Sequence, residues 1–523
     1  MKLENHVGGR WQTGSGEGRP LHNPVNGEVV GHADATGIDV AAALAFARET
    51  GGAALRALTF AERGALLKAI ADALTPHRGK YGDIARINSG NTAADAAIDI
   101  DGGIGTLRYY ARLGQGLGEA TALIEAREDQ LAREPVFFAR HLWTTRPGVA
   151  VQINAFNFPS WGMWEKVAVA LLAGVPSVAK PATATVWLAH EMMRDVIAAG
   201  VVPPGVLSLV CGAGDALVDA LGPMDSLAFT GSRETAGRLR AAPNILRGGP
   251  RITIEADSVN ATILGPDAVP GTAVHDLAVR EIVKALSVKA GQLCTNIRRI
   301  FVPQPVASAL QDAVVDALGR LPIGDPADPS VRIGPLVDNA QREEALRGIG
   351  QLCREASVVL GGGIPAEVAG ADARRGAFLS PTLLRCEDGM SRTLVHEIEV
   401  FGPCATILPY AGFDNALAMA GSKAMGSLAV SLFTNDAGLA AQSVQALSPW
   451  HGRVLVVDEE VGKNHTGHAI VMPQCVHGGP GRAGDGEELG GLRGLRLHMQ
   501  RTAIQASPTM LRGIADAMAE AAL

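Results

Sequence analysis

The chain has 523 residues, of which 47% are hydrophobic and 19% are charged, and its formal net charge is −7 at pH 7. A chain of this length is too long for one ordinary core and predicts about three domains or lobes. The small net charge argues against general affinity for nucleic acid or for an anionic membrane surface. We therefore expect any anionic ligand to be bound by local groups.

The apolar segments and the cysteines predict a cytoplasmic protein. The first residues, Met1 to Asn5, lack the apolar core of a signal peptide. The longest apolar stretch, between Lys166 and Lys180, contains a glycine and a proline and is too short to cross a bilayer. Six cysteines are scattered without CxxC spacing, which is typical of free thiols in a reducing compartment.

The first 150 residues predict β-structure, then helices, then β-structure again. Residues 1 to 36 contain short, turn-rich segments typical of strands at a sheet edge. Residues 39 to 113 have apolar residues at the three-and-four spacing of helices, and Thr59 to Glu62 has the form of a capping box that would start one of them. Residues 137 to 153 are β-like.

From residue 150 to the helix that begins at Arg233, strand patterns and helix patterns alternate. This alternation predicts a parallel, doubly wound sheet, which binds its ligands at the carboxyl ends of the strands. Thr183 and Ser232 both fall at such ends. A second alternating block, from about residue 261 to 457, predicts another α/β domain.

The C-terminal part is rich in glycine from His477 to Gly494. Backbone N–H groups of such a segment could bind phosphate, but the strand and the G-x-x-x-x-G-K pattern of a phosphate loop are missing. We expect an ordered loop here, followed by a strand-like segment from Met499 to Ile504 and a terminal helix.

Cys294 lies in the polar stretch from Lys289 to Thr295, between a helical pattern (276 to 288) and a strand-like one (300 to 302). A loop could therefore present this thiol to a cleft. Free cysteines are among the most buried residue types, so packing is the simpler explanation of Cys294 taken alone.

Three further polar residues stand at informative places: Asn157 after a strand, Lys180 at a strand end, and Glu255 near the end of another. Each has a simpler explanation, as a turn former, a solvated charge and a surface carboxylate. Together with Cys294 they supply a thiol nucleophile, an amide donor for an oxyanion and a carboxylate base beside a dinucleotide-type sheet. These are the groups needed to oxidise an aldehyde.

From residue 7 to 505 the chain resembles the aldehyde dehydrogenase family. Six motifs carry the resemblance in the order that the family has them: Asn157-Phe158-Pro159, Lys180-Pro181, Phe229-Thr230-Gly231-Ser232, Gly291-Gln292-Leu293-Cys294, Glu399-Val400-Phe401-Gly402-Pro403 and Gly478-Gly479.

The resemblance implies an α/β fold with three parts. A Rossmann-type cofactor domain would comprise residues 1–129 and 147–256, and an α/β catalytic domain residues 257–475. A small β oligomerisation arm would comprise residues 130–146 and 490–505, and residues 506–523 would form a C-terminal helix. A homodimer is the expected assembly.

The resemblance also implies roles for individual residues. Cys294 would be the nucleophile, Glu255 the general base, Asn157 the oxyanion amide, and Lys166 a proton-relay lysine. The implied cofactor contacts are Phe156, Lys180, Thr183, Gly231, Ser232, Glu399 and Phe401. No metal is required, and His465 with His468 lacks the further ligands that a zinc site needs.

Two departures from the family pattern are informative. The segment from Glu255 to Asn260 is shorter than usual and resembles a subgroup that acts on semialdehydes of coenzyme A thioesters in aerobic aromatic degradation. The tail from Val476 to Gly484 is similar to that subgroup as well. Some of its members carry a fused hydratase domain, for which we expect no room here. The expected substrate is therefore a small aldehyde, linked to coenzyme A.

The second departure is Thr183, where many NAD-dependent members have glutamate. A carboxylate there would bind the adenosine ribose hydroxyls and repel a 2′-phosphate. Neutral Thr183 beside cationic Lys180 removes that repulsion and offers a hydroxyl and an ammonium group to the phosphate. We expect a preference for NADP, with NAD as the weaker alternative.

Two other functions remain open at this point. An acylating dehydrogenase would pass the acyl group to free coenzyme A and would not need Glu255 to activate water. A cofactor-binding protein without catalysis would have little reason to keep Cys294, Asn157 and Glu255 together.

Overall fold

The computed structural model describes residues 1–518 and 521–522. The N-terminal part begins with four strands that extend a large sheet: β1 (Lys2–Val7), β2 (Arg10–Thr13), β3 (Arg19–His22) and β4 (Val29–Ala33). Five helices follow: α1 (Val40–Phe46), α2 (Gly52–Arg56), α3 (Phe60–Leu74), α4 (Arg78–Ser89) and α5 (Ala93–Leu117). The predicted capping box is confirmed, since Thr59 and Glu62 bond reciprocally at the start of α3.

Three strands of a small sheet come next: β5 (Leu123–Ile124), β6 (Asp129–Gln130) and β7 (Phe138–Thr145). The alternating block then supplies five strands: β8 (Ala150–Ile153), β9 (Ser177–Lys180), β10 (Leu207–Leu209), β11 (Ser226–Thr230) and β12 (Arg251–Glu255). Its helices are α6 (Trp161–Leu172), α7 (Val186–Ala198), α8 (Asp215–Asp219), α9 (Arg233–Arg240) and α10 (Pro243–Leu246).

The five strands β8 to β12 are parallel and lie in the order β12-β11-β8-β9-β10. The predicted doubly wound sheet is confirmed. β1 pairs antiparallel with β10 and carries β4 and β3 to the edge of the same sheet, as the turn-rich N-terminal segments predicted. The strand order reverses between β8 and β11, which is the point where such sheets hold their ligands.

The second block forms a seven-stranded sheet. Its strands are β13 (Ala261–Leu264), β14 (Arg299–Pro303), β15 (Ser357–Leu360), β16 (Thr382–Arg385), β17 (Cys404–Tyr410), β18 (Ser427–Phe433) and β19 (His451–Val457). Its helices are α11 (Ala273–Ser287), α12 (Ala307–Gly319), α13 (Asn339–Leu352), α14 (Leu394–Glu397), α15 (Phe413–Ala420) and α16 (Ala437–Leu447). The order is β15-β16-β17-β14-β13-β18-β19, and only β15 runs antiparallel to its neighbour.

The remaining elements are β20 (Val476–Gly479), β21 (Gly486–Leu489), β22 (Met499–Ala506), α17 (Pro508–Met518) and β23 (Ala521–Ala522). The prediction of an ordered loop across the glycine-rich segment is wrong in part, because β20 and β21 form an antiparallel hairpin there. Glycine permits it: a Cβ at Gly478 would lie 1.8 Å from the carbonyl oxygen of Gly486.

The C-terminal helix expected over residues 506–523 is observed as α17. Residues 521–522 pair with β5 instead, and residues 519, 520 and 523 lie outside the described part of the chain. β22 pairs antiparallel with β7 along eight residues and so joins the two segments expected to form the arm.

Helix α6 is apolar apart from Glu165 and Lys166, and nine of its residues are buried, most of them against α5 and the first sheet. A helix that is apolar all round belongs in a core, and this one fixes the position of the residues that precede it. Among the described residues, no helix is both long and apolar enough to cross a bilayer.

Candidate active site

The loops that follow β8, β11 and β12 meet at the reversal of strand order and line one cavity of about 560 Å³. Four of the residues singled out in the sequence face this cavity together: Asn157, Lys166, Glu255 and Cys294. Its other lining residues are Asn154, Ala155, Phe158, Trp161, Gly162, Glu165, Thr230, Thr295, Ala469, Val471 and His477.

The loop before Cys294 turns through three consecutive left-handed residues. Lys289, Ala290 and Gly291 have φ of 50°, 49° and 69°. A side chain at Gly291 would collide with the backbone of Gly402, since its Cβ would lie 2.4 Å from that carbonyl oxygen. The glycine of the motif is therefore required both by its φ and by its close neighbour.

Two buried side chains hold this loop in place. The Arg298 guanidinium donates to the carbonyl oxygens of Gly291 and Leu293, both at 3.2 Å. The Asn260 amide donates to the carbonyl oxygen of Cys294 at 2.8 Å. The loop that carries Cys294 is thus fixed by hydrogen bonds to three of its carbonyl groups.

Cys294 is half-buried, whereas a packing cysteine such as Cys211 is fully buried. Burial and the neighbouring Glu255 carboxylate hold the pKa of the Cys294 thiol well above its usual range, and Glu165 and Glu399 add to this effect. In this arrangement the thiol is the resting form.

Glu255 ends β12 and forms an ion pair with His477, with 2.9 Å between Oε2 and Nε2. Burial alone would raise the pKa of this carboxyl, but the charge and hydrogen bond of His477, the charge of Lys166 and the hydrogen bond of Cys294 together lower it. Glu255 is therefore an ionised carboxylate directly beside the thiol.

Lys166 is buried between two carboxylates. Its Nζ lies 2.9 Å from Glu488 Oε2 and 3.2 Å from Glu165 Oε1. Burial lowers the pKa of Lys166, but the charges of Glu488, Glu165 and Glu255 outweigh that effect and raise it. Lys166 therefore stays cationic and balances the carboxylates around the cavity.

Asn157 lies between β8 and α6 and is 7% exposed. Its side-chain nitrogen forms no hydrogen bond within the described residues, although the group is buried. A buried amide donor that faces a cavity without a partner can bind an oxygen atom of a ligand.

A second group of the predicted residues lies outside the lining of this cavity. Glu399 accepts a hydrogen bond from the Ser258 backbone N–H at 3.2 Å, and Phe156 packs edge-to-face on Phe401 with 5.5 Å between the ring centroids. Burial raises the pKa of Glu399 to about 7 despite the opposing charge of Arg298.

The remaining predicted residues lie at strand ends and do not line this cavity. Lys180 ends β9, and Thr183 starts the short 3-10 turn that follows it. Ser232 caps α9 by accepting a hydrogen bond from the Thr235 N–H, and the Gly231 N–H donates to the carbonyl oxygen of Glu255 at 3.1 Å.

Three residues of the site were missed in the sequence: His477, Glu165 and Glu488. His477 precedes the Gly478-Gly479 motif and Glu165 precedes Lys166, so adjacency to a motif was the available signal. Only the tertiary structure shows that they meet. His465 and His468 belong to no group of three potential metal ligands among the described residues.

Comparison with known proteins identified the family to which this chain belongs. The model of the aldehyde dehydrogenase family matches residues 11–490. The chain is 51% identical over 480 residues to 3,4-dehydroadipyl-CoA semialdehyde dehydrogenase of Aromatoleum evansii, which covers 92% of this chain and 93% of that protein.

Solved structures show the same fold at lower identity. Apo betaine aldehyde dehydrogenase of Staphylococcus aureus has a TM-score of 0.83 and 24% identity, over 96% of this chain and 95% of that one. The NAD⁺ complex of an aldehyde dehydrogenase from Bacillus cereus has a TM-score of 0.83 and 23% identity, over 97% of each chain.

Proposed function

Because this chain belongs to the aldehyde dehydrogenase family, we propose that it oxidises a semialdehyde of a coenzyme A thioester to the carboxylic acid with NADP. The observation that carries the chemistry is the convergence of Cys294, Asn157 and Glu255 on one cavity. A cofactor-binding protein without catalysis would not need this convergence, and family membership argues against that alternative.

In the first half of the proposed reaction, Cys294 loses its thiol proton to water and attacks the aldehyde carbon as a thiolate. The oxyanion that forms is bound by the unpartnered Asn157 amide and by the backbone N–H of Cys294. Loss of one such donor typically raises the barrier by about 3 kcal/mol. The oxidised cofactor, when bound, accepts the hydride, and a thioester remains on Cys294.

In the second half, Glu255 activates water to hydrolyse the thioester. A positioned base typically contributes roughly 10²–10⁴-fold to such a step. An acylating enzyme would transfer the acyl group to free coenzyme A instead. Glu255, ionised and beside the thiol, supports hydrolysis.

Two experiments test whether the acyl group passes to water or to coenzyme A. One measures reduced cofactor formed by Glu255→Gln, and the other measures whether wild type consumes added coenzyme A. We expect the variant to form one equivalent of reduced cofactor per active site and then stall, and we expect the wild type to consume no added coenzyme A. Full steady turnover of the variant, or coenzyme A consumed in step with reduced cofactor, would show that Glu255 is not a hydrolytic base.

Two polar groups, those of Thr230 and Glu399, fit a bound dinucleotide. Thr230, at the end of β11, has a buried hydroxyl without a partner among the described residues, and Glu399 accepts only one close hydrogen bond, from the Ser258 N–H. Hydroxyl groups of a ribose would satisfy such atoms. Glu399 and Phe401 would contact the nicotinamide ribose, and Ser232 the pyrophosphate.

The preference for NADP is supported by unpaired positive charge near Thr183. Burial and the neighbouring Arg19 charge lower the pKa of Lys180, partly offset by Asp215. Within the described residues, neither Lys180 nor Arg19 forms an ion pair. Two cations without a close carboxylate partner beside a neutral hydroxyl favour a phosphate group.

Strand β3 is held against the turn that carries Thr183, which brings Arg19 to this place. The Asn88 amide donates to the carbonyl oxygens of His22, at 3.3 Å, and Ala184, at 3.0 Å. Arg19 thereby becomes a candidate contact to the 2′-phosphate that the sequence did not suggest.

The coenzyme A portion of the substrate is proposed from the relative at 51% identity, whose name gives a CoA semialdehyde as its substrate. The test compares kcat/KM for adipyl-CoA semialdehyde and for adipate semialdehyde without coenzyme A. We expect at least a 10-fold preference for the thioester. Equal values would rule out the CoA-linked substrate while leaving aldehyde oxidation intact.

A further inference from the structure

The glycine-rich hairpin packs on the end of β12 and places His477 beside Glu255. A Cβ at Gly484 would lie 2.2 Å from the carbonyl oxygen of Ile254, and one at Gly486 would lie 2.5 Å from it. Only glycine allows the hairpin to approach this backbone so closely. The glycines of this segment therefore bring an imidazole to Glu255, where the sequence predicted only an ordered loop.

His477 and Glu255 form a buried pair with one free oxygen. The side chains are 8% and 4% exposed, and Nε2 of His477 bonds Oε2 of Glu255 at 2.9 Å. The other oxygen, Oε1, forms no hydrogen bond within the described residues. Polar atoms of this pair and Sγ of Cys294 all lie within 4.8 Å of one another.

The charged and titratable groups that face this pair are Cys294, Glu165, Lys166 and Glu488. With Glu255 included, three carboxylates surround Lys166. If His477 were neutral or absent, Glu255 would be buried near two other carboxylates, those of Glu165 and Glu488. The three carboxylates would then share one cation, Lys166. Such an environment favours the protonated carboxyl, which cannot act as a base.

We propose that His477 is a positioning residue for thioester hydrolysis: its imidazolium keeps the Glu255 carboxylate ionised and leaves Oε1 free for the attacking water. This inference rests on the proposed function, because Glu255 is a hydrolytic base only there. Glu255 takes a proton from water, the water oxygen bonds to the thioester carbon, and the C–S bond breaks with its electron pair returning to the sulfur of Cys294.

His477→Gln and His477→Asn test this role, because both keep an N–H donor but lose the charge. With butanal and NADP, we expect the acidic limb of the steady-state rate to move up by at least about two pH units, to about pH 7, in both variants. The rate should be about 10-fold below wild type at pH 6 and within about 3-fold of it at pH 9. The burst of one NADPH per active site should persist at pH 6.

The matched control is His498→Gln, another buried histidine, whose Nδ1 bonds Ser226 Oγ at 3.1 Å outside the aldehyde cavity. We expect its pH profile to match wild type. A His477 variant whose profile coincides with wild type, or whose rate falls by one factor at every pH, would overturn the role.

The pH profile of the wild-type protein tests the same role of His477 and cannot be affected by misfolding of a variant. With the imidazolium in place, Glu255 should stay ionised down to about pH 5. The rate of the hydrolytic step should therefore not fall as the pH is lowered from neutral to about pH 5. An acidic limb at or above pH 6 in the hydrolytic step of wild type, measured as the decay of the acylated enzyme, would overturn the proposal. A wild type that forms no NADPH with butanal or with a CoA-linked semialdehyde would instead contradict the proposed function.

Discussion

At the scale of single residues, Glu399 is held between burial and a nearby cation. Its side chain is 12% exposed and lies 3.9 Å from Arg298, yet burial prevails and raises its pKa from the ordinary 4.5 to about 7. A carboxyl whose pKa is higher in the folded state binds its proton more tightly there. The stability that this proton binding contributes is present at low pH and is lost as the pH rises through about 7.

Glu399→Gln removes this titration. We expect the apparent Tm of the variant, relative to wild type, to rise by roughly 2 °C or more between pH 5 and pH 8 in the absence of cofactor. Thermal unfolding at both pH values measures it. The control is Glu397→Gln, two residues away and exposed, and a Tm difference that does not change with pH would contradict the raised pKa.

The proposed preference for NADP depends on Thr183. Thr183→Glu places a carboxylate where the 2′-phosphate is expected, so we predict that the ratio of kcat/KM for NADP to that for NAD falls at least 10-fold. Thr183→Gln has the same bulk without the charge and should change the ratio by less than about 3-fold. Equal ratios in all three proteins would place the 2′-phosphate away from this turn.

At the scale of an element, the conformation of the loop that carries Cys294 depends on Gly291. Replacement with alanine would force both a left-handed φ on a Cβ-bearing residue and a collision with Gly402. We expect Gly291→Ala to lower kcat/KM by about 10²-fold, because displacement of the nucleophile by an ångström costs about that much.

Gly350→Ala is the control for this loop, since Gly350 lies in α13 with open space around its Cβ position. It should leave kcat/KM unchanged. Single-turnover formation of NADPH measures both variants, and wild-type activity in Gly291→Ala would mean that the loop adapts.

At the scale of the whole molecule, the small sheet suggests how two copies associate. β22 is an edge strand of eight residues and pairs on one side only, with β7, within the described residues. A long edge with unpaired backbone groups is a template for pairing with another chain. We therefore predict a homodimer, with the arm (130–146 and 490–505) at its interface.

Light scattering after gel filtration tests the assembly. We expect a mass about twice the 54.2 kDa of the chain, unchanged over a 10-fold range of protein concentration. A monomer over the same range would contradict the dimer, and a mass near four chains would mean that the arm is not the only interface.

The sequence by itself determined the layout of the chain. The alternation of strand and helix patterns predicted both α/β sheets, and the Thr59 capping box predicted the start of α3, because these signals depend on neighbours within a few residues. The motifs around Cys294, Glu255 and Asn157 predicted the groups that the cavity brings together.

Only the tertiary structure decided what surrounds those groups. His477 pairs with Glu255 from 222 positions along the chain, and Glu488 pairs with Lys166, because a hairpin of glycines packs on β12. Ionisation in a buried site depends on charges a few ångströms away in space, whatever their separation in sequence. The sequence therefore predicted Glu255 as the candidate base, but it did not predict the charge state of this carboxyl.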